Sequence, residues 1–135
     1  MHWAIQYIGK PWVKKAQGPH SFDCWGLMRY VQKHHFNIDV PLIIIDGDDY
    51  RAVVKTFKNH PERRNWIKKN SPSDGDCVLM RHSRDDSHVG VWLDVDGGGA
   101  LHCVQGIGVV FSDLSSLRLN GWSHIEYYRH ASRCS

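Results

Sequence analysis

Phe22-Asp23-Cys24-Trp25-Gly26-Leu27-Met28-Arg29-Tyr30-Val31-Gln32-Lys33-His34-His35 sets a capping aspartate ahead of a helical repeat. Leu27, Met28, Val31 and His35 follow Cys24 at the spacing of one helix face, so a buried helix is expected from about Cys24 to His35. Cys24 then sits in the first turn. Unpaired amides and the positive end of the helix dipole favour a thiolate there, and the expectation is a thiol below its ordinary value of about 8.5. Position alone does not make a nucleophile, because buried cysteine is also common in cores.

Upstream, Trp3 to Ile8 reads as a short helix that ends near Gly9-Lys10-Pro11, since proline disfavours a helical residue before it. Downstream, Asn37 to Leu42 is an extended exit, and a basic stretch from near Asp49-Tyr50 reads as helix, interrupted at His60-Pro61. This basic helical insertion covers about residues 50–70. Arg51, Lys55, Lys58, Arg63, Arg64, Lys68 and Lys69 stand there against Glu62 alone, a net +6 in a chain of net +3. The plain account is a solvated face. Phe57 and Trp66 read as core contacts and not as base-stacking platforms, so no nucleic-acid partner is expected.

After the turn Ser71-Pro72-Ser73-Asp74-Gly75-Asp76 the period changes to two. Runs at 77–81, 88–93, 100–105, 109–112 and 122–129 are rich in β-branched and aromatic residues, and Gly97-Gly98-Gly99 turns one strand into the next. Helices first and an antiparallel sheet afterwards define an α+β chain, read as one domain over 1–135. With 135 residues, 41% hydrophobic and 23% charged, it can bury a core, and no apolar run reaches the roughly 20 residues of a membrane span. The start Met1-His2-Trp3-Ala4-Ile5 lacks the pattern of a secretory signal. Production in the cytoplasm and delivery by another route are therefore expected.

The four cysteines, at 24, 77, 103 and 134, form no compact zinc spacing and no evident disulfide framework, so no metal and no cofactor is expected. His82 with Asp85 and Asp86 is better read as a charged loop than as half a metal site. A thiolate in acyl transfer needs a proton donor for the leaving group, and His88 opens the run His88-Val89-Gly90-Val91-Trp92-Leu93. His102, one strand on, is placed to hold the other ring nitrogen. The two share a sheet face only if even numbers pair with even, as with Gly90 or Trp92 opposite His102. Asp94 is the rival third residue, but six residues of extended strand put it roughly 20 Å from His88.

Phe22-Asp23-Cys24-Trp25-Gly26-Leu27, His88-Val89-Gly90-Val91 and His102 together resemble the nucleophile, base and third positions of the NlpC/P60 cysteine peptidases. The likeness extends to Tyr7-Ile8-Gly9-Lys10-Pro11-Trp12 and Gly75-Asp76-Cys77-Val78-Leu79. It implies a papain-like fold, with Cys24, His88 and His102 catalytic and peptidoglycan stem peptides as substrate, cut at the γ-D-glutamyl to diamino-acid amide. Cys24-Trp25, Gly106 to Val110 and Ile125 to Arg129 are similar to the versions carried by tailed phages and prophages, which implies phage tail proteins as partners. Trp12 stands where the family commonly has an oxyanion-hole tyrosine, and is read as a wall of the site; the Cys24 amide remains as an oxyanion donor. Asp23 is read as a cap or as a holder of a substrate amine, and Trp25 as a packing or substrate-side residue. Two other readings stand beside this one: a tail structural component with little activity, and another thiol acyl-transfer enzyme. An acyltransferase of the lecithin:retinol type places its histidine before the cysteine, and a transglutaminase-like site would use Asp94.

Overall fold

Continuous apolar runs in the middle of the chain need cover on both faces, and the architecture supplies it. The computed structural model describes residues 2–43, 59, 61–81 and 86–134. Six strands, β1 (Trp66–Lys69), β2 (Cys77–Arg81), β3 (Asp86–Leu93), β4 (Gly99–Val104), β5 (Gly108–Ser112) and β6 (His124–His130), form one sheet in the order β1-β6-β2-β3-β4-β5. Every pairing is antiparallel. Helix α1 (Cys24–Phe36) covers one face, where Leu27, Met28 and Val31 meet Val89, Val91, Leu101 and Cys103. A shorter helix, α2 (Leu114–Leu119), and Trp122 cover the other face over Val78, Met80, Trp92 and Ala100. The expected α+β class is what is observed.

α1 begins where the cap places it and ends at Asn37, whose left-handed φ of 56° closes the last turn. The N-terminal helix is a single 3-10 turn, Trp3–Gln6. Its Trp3 stacks on His35 at 3.6 Å between ring centres, and the Tyr7 hydroxyl lies 2.7 Å from His35 Nε2, which ties the start of the chain to the end of α1.

The basic helical insertion is corrected where it can be seen. Residues 44–58 and 60, which include the start of this insertion, lie outside the described residues, as do 82–85 of the charged loop. Pro61–Asn65 is a 3-10 turn, and Trp66–Lys69 is an edge strand, not helix. Trp66 is buried, and Lys68, facing Tyr128 in register, reaches Glu126 at 2.9 Å. Lysines on an edge strand deter pairing with another chain, so charge here marks the edge of a sheet. α2 also replaces part of what reads as turn, and Asp113 caps it by accepting from the Ser116 amide at 2.8 Å.

One buried carboxylate pins the turn ahead of β2 to the last strand. Asp76, fully buried, accepts from Arg129 Nε and Nη2 at 2.9 Å each and from the Ser73 amide at 2.8 Å. A bidentate charged pair of this kind is costly to break, because the remaining partner keeps its desolvation penalty. Asp76→Ala should lower unfolding free energy by about 3 kcal/mol, read from a urea titration. A loss near zero would mean that the pair does not hold β6 in place.

Candidate active site

α1 delivers Cys24 because its first turn is built tightly. Asp23 Oδ1 accepts from the Gly26 amide at 2.6 Å, and the Asp23 amide donates to the Ala16 carbonyl at 3.0 Å. A Cβ on Gly26 would overlap that same Ala16 carbonyl, so the third helical position has to be glycine. The lead-in is laced to the same place: Val13 donates to the Phe22 carbonyl, Phe22 to that of Pro11, and Val109 of β5 to that of Lys10. The result is a thiol only 3% exposed at the start of a buried helix.

The sheet brings its chemistry to the same point. The Trp92 amide donates to Asp76 on the β2 side, so by alternation the odd-numbered amides of β3 point toward β4. The β3–β4 ladder starts at Gly90↔His102, and the Val89 amide beyond it meets the Cys24 sulfur instead of a strand. The thiol thus abuts the residue next to His88. Even pairs with even, as the shared face requires, and His88 Nε2 lies 2.8 Å from His102 Nδ1. Gly90 makes room for this pair. A Cβ there would stand 3.0 Å from the His102 Cβ and 2.9 Å from the Leu101 carbonyl.

Burial works against the expected thiolate. The Trp25 and Val89 amides do favour the anion, but burial, seconded by the Asp23 carboxylate, pushes the Cys24 thiol up to about 12. Loss of water outweighs two hydrogen bonds. Burial therefore favours the neutral thiol. Burial likewise brings His102 down to about 4, so it stays an uncharged imidazole at neutral pH. Burial also raises Cys77 and Cys103, and Cys103 donates to the Phe22 carbonyl at 3.3 Å, which fits their reading as core residues.

Other expected site residues divide. Trp25 is 1% exposed and its indole N–H donates to the Pro41 carbonyl at 3.0 Å, so the substrate-side reading is corrected: it anchors the exit from α1. Asp23 acts as the cap. Trp12 is half-buried and pairs through its backbone with Phe22, two residues before the thiol. Asp94 accepts from the Trp92 indole at 3.0 Å and from the Asp74 amide, whereas His102 occupies the position beside His88. Among the described residues no group of three or more His, Cys, Asp or Glu is placed to hold a metal ion. Two residues escape sequence reasoning. Trp122 stacks on His88 with centres 4.7 Å apart at 15°, and Ser112 Oγ lies 3.0 Å from His102 Nε2. Trp122 reads as one more strand residue, but it lies in the turn after α2, where its amide donates to the Leu117 carbonyl.

A helix-borne thiol at the strand amide that follows one member of a buried imidazole pair, in an α+β fold, is the papain-like arrangement. Residues 9–125 match the sequence model of the NlpC/P60 family, and the chain belongs to that family. A probable endopeptidase p60 of Listeria grayi is 29% identical over 119 residues, which are 88% of this chain and 19% of that protein. The chain thus spans about a fifth of the length of this relative. The crystal structure of the NlpC/p60 domain of the peptidoglycan hydrolase SagA is similar in fold, with a TM-score of 0.60 at 22% identity, over 92% of this chain and 91% of that one.

The neutral thiol has a measurable consequence. Alkylation at Cys24 should keep accelerating from about pH 8 to pH 11, as the thiolate fraction grows tenfold per unit. The folded chain keeps a proton that the unfolded one releases. This contribution to stability is complete below about pH 8.5 and declines as pH rises toward the folded value. A rate plateau below about pH 8 would instead reveal a preformed ion pair.

Proposed function

We propose that the chain is a cysteine peptidase that hydrolyses an amide in peptidoglycan stem peptides. The observation that carries this reading is the Cys24 sulfur at a helix N-terminus against the Val89 amide, with the preceding His88 bonded to His102. Family membership and the activities named for the relatives, an endopeptidase and a peptidoglycan hydrolase, support the substrate class.

The chemistry follows from which nitrogen is occupied. With His88 Nε2 engaged with His102, Nδ1 is the ring nitrogen assigned to take the thiol proton as the sulfur attacks the amide carbon. The Cys24 amide meets the developing oxyanion. The imidazolium then protonates the leaving amine, and the thioester is opened by a water that His88 deprotonates. A neutral resting thiol puts charge separation in the course of attack rather than before it. Trp12 is assigned to the wall of the cleft, and Asp23, beside the sulfur, to the side on which a free substrate amine would sit. His102 orients the base and Asp94 takes no part.

The finer form of this reading is cleavage between γ-D-glutamate and the diamino acid, by a protein made in the cytoplasm and carried to the wall in a phage tail. Its support is the likeness of Cys24-Trp25 and of the segments at 106–110 and 125–129 to tail-borne members.

Mass analysis of muropeptides after incubation with the pure protein reports bond and activity together. Release of fragments with new termini at that amide is expected, with none from Cys24→Ala. Iodoacetamide should abolish release and a chelator should leave it intact. Normal turnover by Cys24→Ala, or loss on chelation alone, would overturn the thiol mechanism.

A further inference from the structure

The hydrogen-bond chain that begins at His88 does not end at His102. His102 Nε2 continues to Ser112 Oγ at 3.0 Å, on the neighbouring strand β5. Ser112 and His102 are both buried, and β4 and β5 hold them in fixed register, with Ala100 opposite Ser112 and His102 opposite Val110. We propose that Ser112 is a positioning residue that selects the ring tautomers of both histidines by accepting a hydrogen bond from His102.

Protons can be counted along three groups. For His88 Nδ1 to receive the thiol proton, the ring must carry its hydrogen on Nε2 and donate it to His102 Nδ1. His102 Nδ1 is then an acceptor. Being uncharged, His102 has its single ring hydrogen on Nε2, and that hydrogen needs an acceptor in a dry site. Ser112 Oγ is the group within reach. With the serine proton turned the other way the whole chain inverts: Ser112 donates to His102 Nε2, His102 Nδ1 donates to His88 Nε2, and His88 carries its hydrogen on Nδ1. In that state the imidazole has nothing with which to accept a proton from Cys24. The hydroxyl oxygen at the end of the chain therefore decides whether the base is competent. This inference rests on the hydrolase reading for its consequence but not for its geometry.

A cavity of about 430 Å³ borders Ser112, His102, Val104, Val110 and Trp122, so an added methyl group has room. That makes Ser112→Thr and Ser112→Val a matched pair, equal in shape and different in the hydroxyl. With a stem-peptide substrate, Ser112→Val should lower kcat on the order of tenfold or more with KM nearly unchanged, and Ser112→Thr should stay within about threefold of the parent. Nitrogen-15 NMR of the imidazoles should find His102 protonated on Nε2 in the parent and in Ser112→Thr, and on Nδ1 in Ser112→Val. Parent-like kcat in Ser112→Val, equal losses in the two variants, or an Nδ1-protonated His102 in the parent would each overturn the proposal. The NMR arm needs no turnover: an inactive parent with the predicted tautomers would refute the hydrolase reading and uphold the role of Ser112.

Discussion

The pairing of Gly90 with His102 is the constraint on which the site depends. Side chains alternate along a strand, so this single register puts His88 and His102 on one face and ends the β3–β4 ladder where the Cys24 sulfur needs an amide. A slip by one residue would send His102 into the layer under α1 and separate it from His88. Gly90 is what lets the two strands carry an imidazole pair without a clash. Fold and chemistry here are one requirement, met by strand register.

Placing polar groups inside a doubly covered sheet has its own logic. His88 Nε2 and His102 Nδ1 lie within hydrogen-bond distance of each other, and His102 Nε2 lies within that distance of Ser112 Oγ. The low-dielectric setting that keeps His102 uncharged also keeps the Cys24 thiol protonated. A site buried in this way disfavours an ion pair at rest. It holds its groups in place and separates charge only when a substrate arrives. Trp122, flat against His88, closes the imidazole from above and comes from the turn that follows α2.

Much of this was legible in the chain. The Asp23 cap and the helical repeat after Cys24 give α1 within a residue, because cap and period are local signals. Strands β2 to β5 stand out through β-branched residues between turn residues. β1 does not, since Lys68 and Lys69 are explained by the sheet edge they occupy and no local pattern announces an edge. α2 is too short for periodicity to show it. At the site, strand geometry disfavours Asp94 and permits, without fixing, the register that sets His102 beside His88. Ser112 and Trp122 are invisible for the opposite reason: their roles come from a neighbouring strand and a turn over the sheet. A helix N-terminus by itself points to a thiolate, and the desolvation that opposes it shows only once the burial of the sulfur is known.

A double-mutant cycle on kcat/KM with His88→Ala and His102→Ala, using a stem-peptide substrate and variants verified as folded, tests most directly whether the two imidazoles act as one unit. If they do, each single variant is severely impaired and the double variant is no worse than His88→Ala alone. Losses that multiply across the two sites would contradict the account, because they would mean that His102 acts without passing through His88.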